Sequence, residues 1–280
     1  MRLRANLTII KSRLVNLDKI LSYLSNQSDV DEIVIYYSNT NAYYDEGVEK
    51  DEFKTFKSKN VIFKEVPNIG SYRKYFFLLL DNKDFLNIVM DDDYIPEVQI
   101  NQLIKMYNNY KCIIGGEGYL LSTDKFKIDK YTIIQRNDIL NYPDYYHLPI
   151  GRGMILYSEN SIPFAARNFH FANIYTPNCD DIWFKWFTFL NQNKVFLLSH
   201  GLKNTGEQLA TETNLSKSNL KNSNDKAIIN LENFFKLNFY GFNLFNFKKF
   251  SNWKFSFEDT PIYYPFDIKS SSYDIQSFFR

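Results

Sequence analysis

Three consecutive carboxylates, Asp91-Asp92-Asp93, follow directly on an apolar run that ends Val89-Met90. Adjacent acids near a core repel one another and lose solvation. A divalent cation would offset both costs, since Mg2+ and Mn2+ take carboxylate oxygens and bridge them to substrate phosphates. The plainer alternative is a solvated acidic turn opening a helix near Pro96. A second acidic pair opens the aromatic segment Asp180-Asp181-Ile182-Trp183-Phe184. One acid there is explained as a helix cap favoured by the helix dipole. The second, far along the chain from the triplet, points to a general base.

Two further stretches bear on a ligand. Asn68-Ile69-Gly70-Ser71-Tyr72-Arg73-Lys74 sets two cations just inside a helix that follows a glycine turn. Free N–H groups and cations at a helix start suit phosphate, though exposed basic turns are common. Gly151-Arg152-Gly153 precedes an apolar strand. Glycines on both sides of an arginine either let the backbone approach a ligand closely or simply form a bulge.

The elements that must position these groups alternate. Leu7 to Ile10 reads as a short buried strand, and Leu14, Leu17, Leu21 and Leu24 fall on one helical face. Strands are expected at Glu32 to Tyr37, Val61 to Phe63, Phe85 to Met90, Cys112 to Ile114, Tyr131 to Ile134, Gly153 to Tyr157 and Val195 to Leu198. Helices are expected from Ser71 to about Leu80, Ile95 to Tyr110 and Asp181 to Asn191. Strands alternating with helices imply an α/β fold, a mainly parallel sheet covered on both faces. In such sheets ligands bind at the carboxyl ends of the strands, where Asp91 to Asp93 stand.

Composition narrows the rest. A formal charge of +1 gives no argument for nucleic acid. Aromatic residues are 18% of the chain, which fits stacking on sugar rings and equally an AT-rich coding bias. Cys112 and Cys179 make neither a disulfide framework nor a zinc pattern, and they suit a reducing cytoplasm. No apolar run reaches the length of a membrane-spanning helix. Ser, Asn and Lys dominate between Thr211 and Lys226, as in a linker, and a Phe- and Lys-rich tail follows. Such a basic, aromatic tail suits either peripheral contact with an anionic membrane surface or packing back on the protein.

Taken together, five elements in order resemble bacterial cell-surface polysaccharide glycosyltransferases (lipopolysaccharide and capsule synthesis) of the GT-A superfamily. They are Thr8 to Arg13, Ile69 to Lys74, Val89 to Pro96, Gly153 to Tyr157 and Asp180 to Trp183, over roughly residues 5 to 200. The second element has Ser for a family Pro and Arg for a Lys, and the third has lost one position before Pro96. The resemblance implies a GT-A, Rossmann-like domain over residues 1–210, its nucleotide-sugar part about 1–116 and its acceptor part about 117–210. Residues 211–280 would then be linker and C-terminal extension. It implies an inverting hexosyltransferase that uses a UDP-sugar and Mn2+ or Mg2+ and acts on a glycan or lipid-linked glycan at the inner face of the plasma membrane. By the same resemblance Arg13, Arg73, Lys74, Asp91 and Asp92 bind the donor, and Asp93, with Asp91 and His200, binds the metal. Asp181 is the base, with Asp180 beside it, and Gly151, Arg152, Gly153 and Trp183 face the acceptor. Two rivals stay open. A sugar nucleotidyltransferase usually has a Gly-rich loop after the first strand, where this chain has Lys11 to Asn16 without glycine. A non-catalytic carbohydrate-binding protein would not need two separated acidic pairs.

Overall fold

A computed structural model describes residues 2–42, 45–56, 60–79, 84–120, 142–158, 161–200, 206–209 and 223–235. The expected strand at Tyr131 to Ile134 and the tail beyond residue 235 lie outside them.

The strands are β1 (Arg2–Thr8), β2 (Glu32–Tyr37), β3 (Val61–Glu65), β4 (Phe85–Met90), β5 (Tyr94–Ile95), β6 (Ile113–Leu120), β7 (His147–Pro149), β8 (Ile155–Tyr157), β9 (Val195–His200) and β10 (Glu207–Gln208). The helices are α1 (Leu17–Ser25), α2 (Ile100–Tyr110), α3 (Phe169–Tyr175), α4 (Asp180–Leu190) and α5 (Asn224–Phe235). Eight strands form one sheet in the order β3-β2-β1-β4-β8-β6-β7, with β9 also on β6. β1, β2, β3 and β4 are mutually parallel, and β6 and β9 are parallel to each other. Only β7 and β8 run against them, so the sheet is mainly parallel, as expected. β5 and β10 pair separately.

Three elements differ from those expected, and for two of them the cause is local. β1 begins at Arg2, well before Leu7. The two early arginines, which break the apolar pattern, lie over the Phe85 ring at 4.3 and 3.9 Å, and Arg4 also pairs with Glu32. The segment Gly70–Leu79 is a 3-10 helix, not an α-helix. α2 starts at Ile100, because Tyr94–Ile95 are claimed as a strand by Glu207–Gln208. A box made by Gln99 and Gln102 then starts the helix, with the Gln99 N–H donating to Gln102 Oε1 at 2.8 Å.

Apolar residues cover both faces of the sheet. One cluster joins Leu3, Leu7, Ile33, Ile88 and Leu103, and the other joins Tyr72, Tyr75, Ile155, Trp183 and Phe184. α5 belongs to the second, burying Ala227, Ile228 and Leu231 against the domain. The start of the tail therefore packs on the protein. No helix among the described residues is long and apolar enough to cross a membrane.

Lys185 is an anomaly within this core. It lies in α4, is 3% exposed, and its Nζ has no hydrogen-bond partner among the described residues. Burial brings its pKa from 10.5 down to about 7, against a weaker pull from Asp144. Between these values the unfolded chain holds a proton that the folded chain has shed, so stability rises with pH across this window. Below about pH 7 the penalty is fully present. Lys185→Met is expected to raise stability at pH 7 by about 2 kcal/mol or more, since each tenfold loss of proton affinity on folding costs about 1.4 kcal/mol. Urea unfolding at pH 7 and 9.5 reads this. A variant no more stable than the parent, with the same pH slope, would refute it.

Candidate active site

The carboxyl ends of β1 and β4 stand side by side, and the loops after them carry Arg13 and Asp91 to Asp93. Arg13 sits in a 3-10 turn, Lys11–Asn16. Its guanidinium is buried, paired with Asp92 and lying 3.2 Å from Asp93. Burial opposes its charge, but the two aspartates more than offset this and raise its pKa. Asp92 is buried, whereas Asp91 and Asp93 are half-buried. The triplet thus divides. Its middle acid holds Arg13 inside, and the outer two are reachable.

A short strap fixes this turn from outside. Asp93's carbonyl accepts from the Leu209 N–H at 2.9 Å and from Gln208 Nε2 at 2.7 Å. The Gly206 N–H donates to Tyr94 Oη at 2.7 Å. Nothing in the local sequence of residues 206–209 announces this role.

The second acidic pair reaches the same place through a bulge. β7 and β8 both run along β6, with Pro149 opposite Gly118 and Ile155 opposite Gly115. Five residues, Ile150 to Met154, therefore span a stretch that β6 crosses with Gly116 and Glu117 alone. The excess loops out as the turn Gly151–Gly153. Glycine is required at its base, because a Cβ on Gly116 would stand 2.0 Å from the Gly153 carbonyl oxygen. Gly151 then touches both acidic sites. Its N–H donates to Asp181 Oδ1 at 3.1 Å, and its carbonyl accepts from the Asp91 N–H at 3.2 Å.

α4 is held in position by rings. Tyr75 stacks on Phe184 with centroids 3.6 Å apart, and Tyr72 Oη donates to the Thr176 carbonyl at 2.6 Å. Lys74, on the same 3-10 segment, is 4% exposed and lies 2.5 Å from Asp91 and 2.8 Å from Asp180. Arg73 faces the other way. It is 1% exposed and forms an ion pair with Asp45 at 2.8 Å.

Among the described residues, five carboxylates (Asp45, Asp91, Asp92, Asp93 and Asp180) thus share three cations, Arg13, Arg73 and Lys74, and Asp181 stands beside them as a further acid. The negative excess appears in the protonation equilibria. Burial, then the nearby Asp91, push Asp93 up to about 6. Burial, then Asp180, hold Asp181 well above the usual carboxylate range, although Lys74 works against this.

Such an excess fits a divalent cation, but no group of three or more His, Cys, Asp or Glu among the described residues is arranged to hold one. Asp93, with Asp91 beside it, is the pair that would hold such an ion, and its other ligands would have to come from elsewhere. His200 closes β9 opposite Gly118, and its side chain lies outside what is described.

The remaining expected residues divide as well. Arg152 lies over the Tyr94 ring at 3.9 Å, beside the strapped turn. Trp183 does not face an acceptor. It is 1% exposed, its Nε1 donates to the Ala166 carbonyl at 2.8 Å, and it packs on Phe187. α4 is buried on every side from Ile182 to Phe189, so a ring at that position has only the core to enter. Arg73 is likewise buried on Asp45, and Arg13 and Asp92 are spent on each other. Asp45 itself was not anticipated. Its only local signal is a turn, Asp45-Glu46-Gly47, in which the Gly47 N–H donates to Asp45 Oδ1 at 3.1 Å and Gly47 has φ +85°.

No protein-family model matches the chain, and no curated protein sequence matches it. Among solved structures it is similar to one described as a glucose-1-phosphate thymidylyltransferase from Bacillus anthracis in complex with sucrose, at 15% identity. That similarity covers 81% of this chain and 95% of the other, with a TM-score of 0.41. A likeness at that level bears on neither activity nor site.

Proposed function

We propose that this chain is a metal-dependent glycosyltransferase that moves a sugar from a nucleotide-sugar, a UDP-sugar, to a hydroxyl of a carbohydrate or lipid-linked glycan, with inversion. The reading is supported above all by one observation. The turn Gly151–Gly153 brings the acids after β4 and those at the start of α4 to a single residue, Gly151.

A transferase needs a donor-diphosphate site and a base beside it. Bound Mn2+ or Mg2+ would offset charge on the departing diphosphate. Asp93 and Asp91 would hold that ion, and Arg13 keeps the turn that carries them in shape. Asp181 accepts the acceptor's hydroxyl proton. The acceptor oxygen then bonds to the anomeric carbon as the bond from that carbon to the diphosphate oxygen breaks. Asp180 is paired with Lys74, whereas no ion pair reaches Asp181 among the described residues, which favours Asp181 as the base. The acceptor approaches past Arg152 and the glycines beside it. The Phe- and Lys-rich tail beyond α5 would bring the enzyme to an anionic membrane surface carrying a lipid-linked acceptor.

Asp93→Ala is expected to abolish Mn2+-dependent UDP binding, measured by titration calorimetry, while the unfolding midpoint stays near that of the parent. Tight metal-dependent binding by this variant would remove Asp93 from the metal site. Supplying a sugar 1-phosphate with a nucleoside triphosphate separates the rival reaction. Pyrophosphate release in that assay, with no transfer from a UDP-sugar, would replace a glycosyltransferase by a nucleotidyltransferase.

A further inference from the structure

Among the described residues, Lys74 is the one cation that touches both acidic sites. Its Nζ lies 2.5 Å from Asp91 Oδ1 and 2.8 Å from Asp180 Oδ2, and the residue is 4% exposed. A Cβ on Gly151 would stand 2.9 Å from the same Nζ, so the turn closes over the ammonium. An amine this enclosed, with two carboxylates against it, has little left to offer a phosphate. Tyr75, next in the chain, stacks on Phe184 of α4, which fixes the backbone that carries the lysine.

We infer that Lys74 is a positioning residue: a charged strut between the donor turn and the start of α4 that neutralises Asp180 and so leaves Asp181 as the working acid of the pair. The inference deepens the transferase reading and rests on it. Removing one member of a buried charged set leaves its partners uncompensated, and removing a second restores the balance. The strut therefore makes a prediction that a phosphate ligand does not.

Lys74→Met is expected to lower kcat at least about thirtyfold, while the Kd of UDP with Mn2+ stays within about threefold. Adding Asp180→Asn, which removes one of the two carboxylates left unpaired and the one beside the proposed base, is expected to recover most of the lost kcat. A Kd for UDP that rises tenfold or more with kcat unchanged would make Lys74 a phosphate ligand and overturn the inference. So would a double variant no more active than Lys74→Met alone. If Lys74→Met does not fold, the double variant decides, because the strut predicts that it folds and turns over. Should the parent protein neither bind UDP nor transfer sugar, the transferase reading fails. Unfolding midpoints of the single and double variants then test the strut separately, and additive losses at the two positions would refute it.

Discussion

Asp181→Asn is expected to cut sugar transfer at least about a hundredfold, within the usual range for loss of a general base, while UDP affinity stays within about threefold. Asparagine keeps the shape and the oxygen that accepts from the Gly151 N–H, so α4 keeps its place and only basicity is lost. The acid also leaves a signature in pH. Burial and Asp180 hold it well above the ordinary carboxylate range, and it must be ionised to accept a proton. Transfer should therefore rise with pH and level off above the usual carboxylate range, and the Asn variant should lack that limb. Rates of transfer to a fixed acceptor across pH 4 to 9 would show it. If Asp181→Asn transfers normally and Asp180→Asn does not, the base is the neighbour, and the pairing of Asp180 with Lys74 has been misjudged.

The largest loss of stability is expected at Asp45. Asp45→Ala leaves the Arg73 guanidinium buried without its counter-charge and removes the acceptor for the N–H groups of Lys11 and Gly47. Breaking one side of a buried ion pair costs about 3–5 kcal/mol. Urea unfolding should show a loss of that size. Arg73→Met placed in the same chain should return most of it, since no buried charge then remains. A loss below about 1 kcal/mol would mean that water or another acid reaches Arg73 and that the pair is not what holds this loop.

The order of strands and helices was legible because β4, β2 and β9 are apolar runs bounded by turn residues, and the acidic triplet stands where a parallel sheet opens. Much of the site's internal wiring was not. Arg73 and Lys74 are neighbours on one short segment, and from the sequence both looked like phosphate ligands. One in fact turns inward to Asp45 and the other bridges Asp91 and Asp180. Pattern cannot distinguish them, because the partners come from distant parts of the chain. Trp183 was misplaced for a related reason. The resemblance sets Trp183 at the acceptor, but α4 is buried on every side along this stretch and the ring packs in the core beside Phe187. β1 runs beyond the expected strand because Arg4, which looks solvent-facing, is buried beside Phe85 and Glu32, while Arg2 stays exposed with its guanidinium over the same ring.

Gly151 has a consequence for substrate range under the proposed transfer. Its N–H donates to Asp181 and its carbonyl accepts from the Asp91 N–H, so one residue, with a peptide group on either side of its Cα, joins the turn after β4 to the start of α4. If these acids work as proposed, that joint would act as a gauge. Widening it for a bulkier nucleophile would give up a hydrogen bond at one end. The acceptor would then have to present its reacting oxygen at a set depth, and selectivity for the rest of it would fall to the surfaces beyond Arg152. Changes to those outer surfaces would alter the acceptor, whereas an insertion within Gly151–Gly153 would detach the two acidic sites from each other.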